Sequence, residues 1–278
     1  MSIVEIIKQA IIEDVGSGDH SSLLSVPDTA CGKAELLLKG DGVIAGIDIA
    51  LQVFNQIDPS LKTTIFIPDG SAVKKNDIVF MIEGKIHSIL MSERLMLNIM
   101  QRMSGIATKT NYFCKLIEGT NAKLLDTRKT TPNMRILEKM AVRIGGGYNH
   151  RMGLYDMIML KDNHIDYAGG IESAIKKANE YLKNKQLNIP IEVETRSLFE
   201  VKQALSTGGF QRIMFDNFTV ENVRKGVEMV QNKHETEASG NINEQTIREY
   251  AETGVNFISV GALTHSVKGL DMSLKAIV

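Results

Sequence analysis

The chain has 278 residues, 43% hydrophobic and 23% charged, a composition that supports one large core or two smaller ones and excludes disordered and fibrous classes. With 32 Lys+Arg against 33 Asp+Glu the formal net charge is -1, so no whole-molecule field draws it to nucleic acid or to an anionic membrane. Any basic binding site must be local.

The cysteines, Cys31 and Cys114, are far apart in sequence and fit no metal-ligand spacing, so they read as reduced thiols of a cytoplasmic protein. The N-terminal stretch MSIVEIIKQAIIEDVG carries acids where a signal peptide would carry a basic start, and no apolar run approaches the ~18 residues that span a bilayer. In chain order, the spacing of Ile3, Ile6, Ile7, Ala10 and Ile11 predicts an amphipathic helix. The runs AELLLKG, KTTIFIP and DIVFMIEG, separated by Gly, Pro and Asp turns, predict strands. Residues 1–105 thus read as a small α+β domain. A long helix is expected from about Ser88, through SILMSERLMLNIMQRMSGIATKT.

From about residue 121 six apolar runs, KLLDTR, DMIMLKDN, PIEVET, RIMFDN, HETEASGN and NFISVGALTH, alternate with helical segments. Ile171, Ala174, Ile175, Ala178 and Leu182 share one helix face, and Val220, Val223, Val227 and Val230 another; Ser197 with Glu200 predicts a capping box. Such alternation implies parallel strands joined by right-handed crossovers, closed as an α/β barrel or laid out as an open doubly wound sheet. Each run ends in chemically capable side chains: Asp126, Arg128 and Lys129; Lys161, Asp162, Asn163 and His164; Glu192 and Glu194; Asp216 and Asn217; Glu237, Ser239 and Asn241; Thr264 and His265. A barrel gathers all of them at one mouth, whereas an open sheet concentrates chemistry at one switch point, and six equipped ends favour the barrel.

Between Asp126 and His164 seven Lys/Arg face four Asp/Glu. Arg135, Lys139 and Arg143, at i, i+4 and i+8, read as a solvated helix face. Arg128, Lys129, Arg151 and Lys161, at strand ends or near the glycines at 145–147, instead suit an anionic ligand. The glycines of EASGN and SVGALTHS occupy the last two strand ends, where barrels often bind phosphate through backbone N–H groups, though tight turns explain lone glycines equally well. There is no P-loop, complete GxGxxG, HExxH, GxSxG or Cys/His cluster, and His20, His87 and His234 read as surface or turn residues.

The segments DTRKTTP, RILEKMAVRIGGGYNHRMGLYD, LKDNHI, EASGNI and TGVNFISVGALTHS resemble the quinolinate phosphoribosyltransferase family over nearly the whole chain. The resemblance implies an N-terminal α/β sandwich domain over 1–105 and an α/β barrel of about six parallel strands over 106–278, with the last residues packing back on the first domain. It also implies a homodimer, and transfer of phosphoribosyl from 5-phosphoribosyl-1-pyrophosphate (PRPP) to quinolinate with decarboxylation, in NAD biosynthesis. Both substrates are anions, which fits the local basic charge. By the same resemblance Arg94 reaches a neighbouring subunit's site, and Thr127, Arg128, Lys129, His150, Arg151 and Lys161 hold quinolinate. Glu194 and Asp216 take ribose hydroxyls or groups linked to Mg2+; Ser239, Gly240, Asn241, Val260, Gly261 and Ala262 take the phosphate, with His265 near it. Lys129, Lys161, Glu194 and Asp216 are the expected catalytic groups. His150 also reads as a core histidine that orients Arg151, and Glu194 as a partner of Arg196. Thr195, Arg196 and Asn241 depart from the family pattern. A molybdenum-transport-associated paralogue and a non-catalytic phosphate-ligand sensor are the competing readings; the joint presence of Arg128, Arg151 and Lys161 counts against the sensor.

Overall fold

A computed structural model describes residues 2–277. In chain order its elements begin with α1 (Ile3–Val15), α2 (His20–Ser25), β1 (Cys31–Leu38), β2 (Gly42–Val43), α3 (Ile47–Ile57), β3 (Lys62–Ile65), β4 (Ala72–Val73), β5 (Ile78–Lys85) and α4 (Ile86–Leu116). They continue with β6 (Lys123–Leu125), α5 (Arg135–Ile144), β7 (Ile158–Leu160), α6 (Asp162–Ala168), α7 (Ile171–Lys185), β8 (Ile191–Thr195) and α8 (Leu198–Thr207). The last are β9 (Arg212–Asp216), α9 (Val220–Val230), β10 (Glu235–Ser239), α10 (Ile247–Ala251), β11 (Phe257–Ser259), α11 (Ala262–His265) and β12 (Met272–Ile277).

The chain divides into two compact units: the described parts of Met1–Asn111 and Leu263–Val278 together with Thr130–Gly146, and Tyr112–Lys129 with Gly147–Ala262. In the first, an antiparallel sheet in the order β12-β1-β5-β3 carries alternate apolar residues inward. Ala34, Leu36 and Leu38 of β1 are buried where the period of two puts them on one face, and Leu36 stands opposite Leu274 of β12. Ser2 accepts from the Glu5 N–H and Glu5 accepts from the Ser2 N–H, so a complete capping box starts α1, a feature of about 1 kcal/mol.

The second unit is built on a parallel sheet in the order β6-β11-β10-β9-β8-β7, formed by the six runs the sequence singles out. The helices that alternate with these strands bury their apolar stripes: Ile171, Ala174, Ile175 and Ala178 on α7, Val223 and Val230 on α9. Each fully buried Ile or Val contributes about 1.5–3 kcal/mol by leaving water. The ladder has two edges, β6 and β7. Beside β6 the segment after the glycines supplies one more extended stretch, with the Tyr148 N–H donating to Leu124 O at 2.8 Å and the Asp126 N–H donating to Tyr148 O at 3.1 Å. That stretch leads into His150, whose ring touches carboxylates from both β8 and β10. One side chain spanning from the β6 edge to two other strands means the sheet is curled into a barrel, as expected, with His150 inside.

Two local expectations change. The capping box at α8 is half made: Ser197 Oγ accepts from the Glu200 N–H, but the Glu200 carboxylate accepts from the N–H and guanidinium of Arg196. A guanidinium one residue before the cap outcompetes a backbone N–H for that carboxylate. Lys139 is buried, at 1% exposure, and Arg135 is half-buried with Nε donating to Thr130 Oγ1 at 3.0 Å, so of the three basic residues on α5 Arg143 alone is a solvated one. Among the described residues, no helix is long and apolar enough to cross a membrane.

Candidate active site

Inside the second unit, residues two apart on a strand face the same way. Glu192 and Glu194 of β8 therefore share a face, as do Arg212, Met214 and Asp216 of β9, and Glu235, Glu237 and Ser239 of β10. Register sets their depth: Glu192 lies beside Arg212, Glu194 beside Met214, and Asp216 beside Ser239. Register puts Glu237 beside Met214, but its side chain reaches Arg212 and His150, so Glu192, Arg212 and Glu237 form one ionic group in the interior, while Glu194, Asp216 and Ser239 lie toward the C-terminal strand ends.

In this group His150 Nε2 lies 2.9 Å from a Glu192 oxygen and 3.5 Å from Glu237, and Arg212 donates to Glu237 at 3.1 Å and to Glu235 at 2.9 Å. Both Glu192 and Glu237 are fully buried. Burial and then the Glu237 charge push the Glu192 carboxyl up to about 7. Burial would likewise raise Glu237, but its bonds to His150 and the charges of His150 and Arg212 outweigh it and hold its pKa below the usual value. Burial would lower the His150 imidazole, yet its bonds to Glu192 and Glu237 raise it to about 9. Nδ1 of the same ring accepts the Arg151 N–H at 2.8 Å, so a second proton on the ring would displace that bond. The three donor atoms also lie close enough together to suggest a metal site. Arg212 pairs with Glu237, and the imidazole lies within ion-pair distance of both carboxylates.

The basic segment adjoins this group. Buried Asp126 accepts from the His150 N–H at 2.9 Å and from Asn149 Nδ2 at 2.5 Å, which fixes the stretch carrying His150 and Arg151 to the end of β6. Arg151 is buried, and its Nη1 donates to Met157 O at 3.1 Å. Burial and then the nearby Arg128 charge lower the affinity of its guanidinium for its proton. Two arginines close enough to repel each other in a partly dry site form a ready receptor for an anion. Thr127 Oγ1 accepts from the Lys129 N–H at 3.1 Å and shapes the turn that presents Lys129, which is exposed.

At the rim Lys161 Nζ lies 3.1 Å from Glu194, because Leu160 pairs with Val193 and the next residues of the two strands stand opposite each other. Glu194 therefore pairs with Lys161 and not with Arg196, which forks onto Asp166 and Glu200. Asp216 is half-buried, and one oxygen accepts from Asn217 Nδ2 at 2.7 Å. Gly240 and Asn241 turn in left-handed backbone, with φ of 97° and 54°, directly after Ser239. Val260 is buried and its N–H donates to Leu125 O at 3.0 Å; Gly261 and Ala262 follow, half-buried.

The barrel unit thus brings together Thr127, Arg128, Lys129, His150, Arg151, Lys161, Glu194, Asp216, Ser239, Gly240, Asn241, Val260, Gly261 and Ala262 at one end of the strands. Arg94 and His265 belong to the other unit. Arg94 is exposed on α4, and among the described residues no ion pair reaches it; His265 Nδ1 lies 2.7 Å from Ser266 Oγ. Glu138 was read in the sequence only as one acid among four. It is 1% exposed and accepts from Arg102 Nε at 3.0 Å and from Thr131 Oγ1 at 2.8 Å, so it anchors a threonine of the TTP loop. Its signal was the Arg102–Glu138 charge complement on two predicted helices, which sequence spacing cannot pair.

An α/β barrel whose strand ends carry fixed cations, carboxylates and a glycine turn defines a protein that binds anionic, phosphate-bearing substrates. Residues 19–104 match the model of the quinolinate phosphoribosyl transferase N-terminal domain and residues 106–275 that of its C-terminal domain. A chloroplastic nicotinate-nucleotide pyrophosphorylase (carboxylating) of Arabidopsis thaliana is 46% identical, over 97% of this chain and 81% of the relative. A probable nicotinate-nucleotide pyrophosphorylase (carboxylating) of Bacillus subtilis is 39% identical, over 99% and 93%. The solved nicotinate-nucleotide pyrophosphorylase of Francisella tularensis superposes with a TM-score of 0.92 at 38% identity, covering 99% of this chain and 96% of that one. The chain belongs to the quinolinate phosphoribosyl transferase family.

Proposed function

We propose that the protein transfers the phosphoribosyl group of PRPP to quinolinate with loss of CO2, giving nicotinate mononucleotide and pyrophosphate for NAD biosynthesis. In a chain of this family, the observation that carries the reading is the set of cations at the strand ends: Arg128 and Lys129 directly after β6, buried Arg151 next to His150, and Lys161 directly after β7 beside Glu194. Two neighbouring guanidiniums match the two carboxylates of a pyridine dicarboxylate, with Thr127 and Lys129 completing the turn.

The quinolinate nitrogen attacks C1 of the ribose while the C1–O bond breaks and its electron pair leaves with pyrophosphate. Positive charge develops on the sugar, and Glu194 and Asp216 face it from the ribose side. The bond to the 2-carboxylate then breaks, CO2 departs, and the electron pair left on the ring carbon is stabilised by the adjacent pyridinium before solvent supplies a proton. Fixed cations around the ring and exclusion of water perform most of this work. The backbone of Ser239, Gly240 and Asn241, with that of Val260, Gly261 and Ala262, receives the 5-phosphate. Mg2+ is the proposed cofactor: Glu194 and Asp216 offer the hard oxygens it prefers, and when bound it neutralises pyrophosphate.

The functional unit in this reading is a homodimer in which exposed Arg94 serves the partner's site, and the compartment is the cytoplasm, supported by the free thiols of Cys31 and Cys114. The test is incubation with quinolinate, PRPP and Mg2+ while nicotinate mononucleotide and CO2 are followed together. Formation of both in equal amounts is expected, and no product from quinolinate would overturn the assignment. Mixing inactive Arg94→Ala and inactive Lys161→Ala subunits should restore part of the activity; no restoration would place each site within one chain.

A further inference from the structure

Asn217 follows directly on Asp216 at the end of β9 and turns the chain with a left-handed φ of 55°, a conformation Asn tolerates better than most residues. Its N–H donates to Ser239 O at 2.8 Å. Its Nδ2 donates to Asp216 Oδ2 at 2.7 Å, and its Oδ1 accepts from Asn241 Nδ2 at 3.1 Å. The side chain also lies flat against Gly240: a Cβ there would sit 2.2 Å from Asn217 Oδ1 and 2.9 Å from its backbone N. Apolar burial does not explain the residue, because it is exposed. What its bonds have in common is that they tie the end of β9 to the turn after β10.

We infer that Asn217 is a positioning residue for PRPP, aiming the Asp216 carboxylate with one end of its amide and setting the Gly240–Asn241 turn with the other. The inference rests on the functional reading above, in which that carboxylate takes the ribose and that turn the phosphate. Both ends of the amide are needed. An Asp at 217 has the same shape and tolerates the same φ, but it offers no donor to Asp216 and sets a second carboxylate beside it. A Gly keeps the backbone conformation and removes both bonds. Among the described residues Asn217 makes no bond to Arg128 or Arg151, so the quinolinate cations do not depend on it.

The experiment compares wild type, Asn217→Gly and Asn217→Asp by steady-state kinetics, by calorimetric binding of PRPP and of quinolinate separately, and by thermal melting. Asn217→Gly is expected to raise both KM and Kd for PRPP about tenfold, the loss of one charge-assisted hydrogen bond, with quinolinate Kd and the melting midpoint unmoved. Asn217→Asp is expected to remain as weak for PRPP as the glycine variant. Unchanged PRPP affinity in Asn217→Gly, an equal loss for both substrates, or full recovery in Asn217→Asp would overturn the inference. A wild-type protein that binds no PRPP and makes no product would overturn the functional reading and this inference with it; wild-type turnover with an unaffected Asn217→Gly would overturn this inference alone.

Discussion

Replacing Glu237 by Leu should cost the barrel about 3 kcal/mol, the low end of the 3–5 kcal/mol typical when one partner of a buried ion pair is removed. The variant leaves Arg212 without its bond at 3.1 Å and His150 without its second carboxylate. Arg212 cannot simply swing into water, because its guanidinium lies 4.0 Å from the centre of the Phe257 ring, a contact of about 0.5–2 kcal/mol, and its side chain is only 12% exposed. Two features pull the cost down. Arg212 keeps Glu235, a half-exposed partner contributing about 1 kcal/mol at most, and Glu192 is relieved of the like charge that raises its pKa. At about 2–4 °C per kcal/mol for a unit of this size, the melting midpoint should fall by roughly 6–12 °C. Adding Arg212→Met should recover much of the loss, since apolar replacement of a whole buried pair is often neutral or stabilising. Urea and thermal denaturation followed by circular dichroism would measure both. A single variant costing under about 1 kcal/mol, or a double variant whose cost is the sum of its parts, would show that the group is not held by coupled charges.

The same group makes stability depend on pH. The folded state binds protons more tightly than the unfolded chain at Glu192, between about 4.5 and 7, and at His150, between about 6.5 and 9, so stability should decline as pH rises through both windows. His150→Gln should flatten the upper part of a curve of unfolding free energy against pH, and an unchanged slope there would refute the assignment. Asp126→Ala removes the carboxylate that accepts from the His150 N–H and from Asn149 Nδ2, so it should raise KM for quinolinate by tenfold or more, at a stability cost of about 1–3 kcal/mol. Parallel kinetics and melts separate the two effects. Arg151→Lys keeps a charge but loses the planar fork, and should weaken quinolinate binding on the order of tenfold in calorimetry while leaving PRPP binding alone.

The six parallel strands were legible because short runs, most of them apolar and each ending in polar side chains, alternate with stripes of helical period. Which acid on a strand reaches the rim was not legible. Glu192 and Glu194 are equivalent in the sequence, two residues apart on one face, and only the pairing of β8 with β7 and β9 puts the first in the ionic interior and the second beside Lys161. Arg196 misled for the same reason: nearness in sequence made it the obvious partner of Glu194, but its side chain runs to Asp166 and Glu200 on neighbouring helices. Lys139 failed by a different route, since a charge at helical spacing gives no sign that its turn is packed against other chain.

The seam of the barrel carries one more consequence. A residue in an interior strand answers to two neighbours, and a substitution there must satisfy both. The stretch from Tyr148 to Arg151 bonds through its backbone to Leu124 and Asp126 on the β6 side, and it holds the imidazole and one of the two guanidiniums of the basic site. Recognition has been placed on a stave pinned by carboxylates that lie outside it, Asp126 at its backbone and Glu192 and Glu237 at its imidazole. Residues 147–157 are therefore not a self-contained cassette: exchanging them between related barrels to recognise a new acid would have to carry Asp126, Glu192 and Glu237 along.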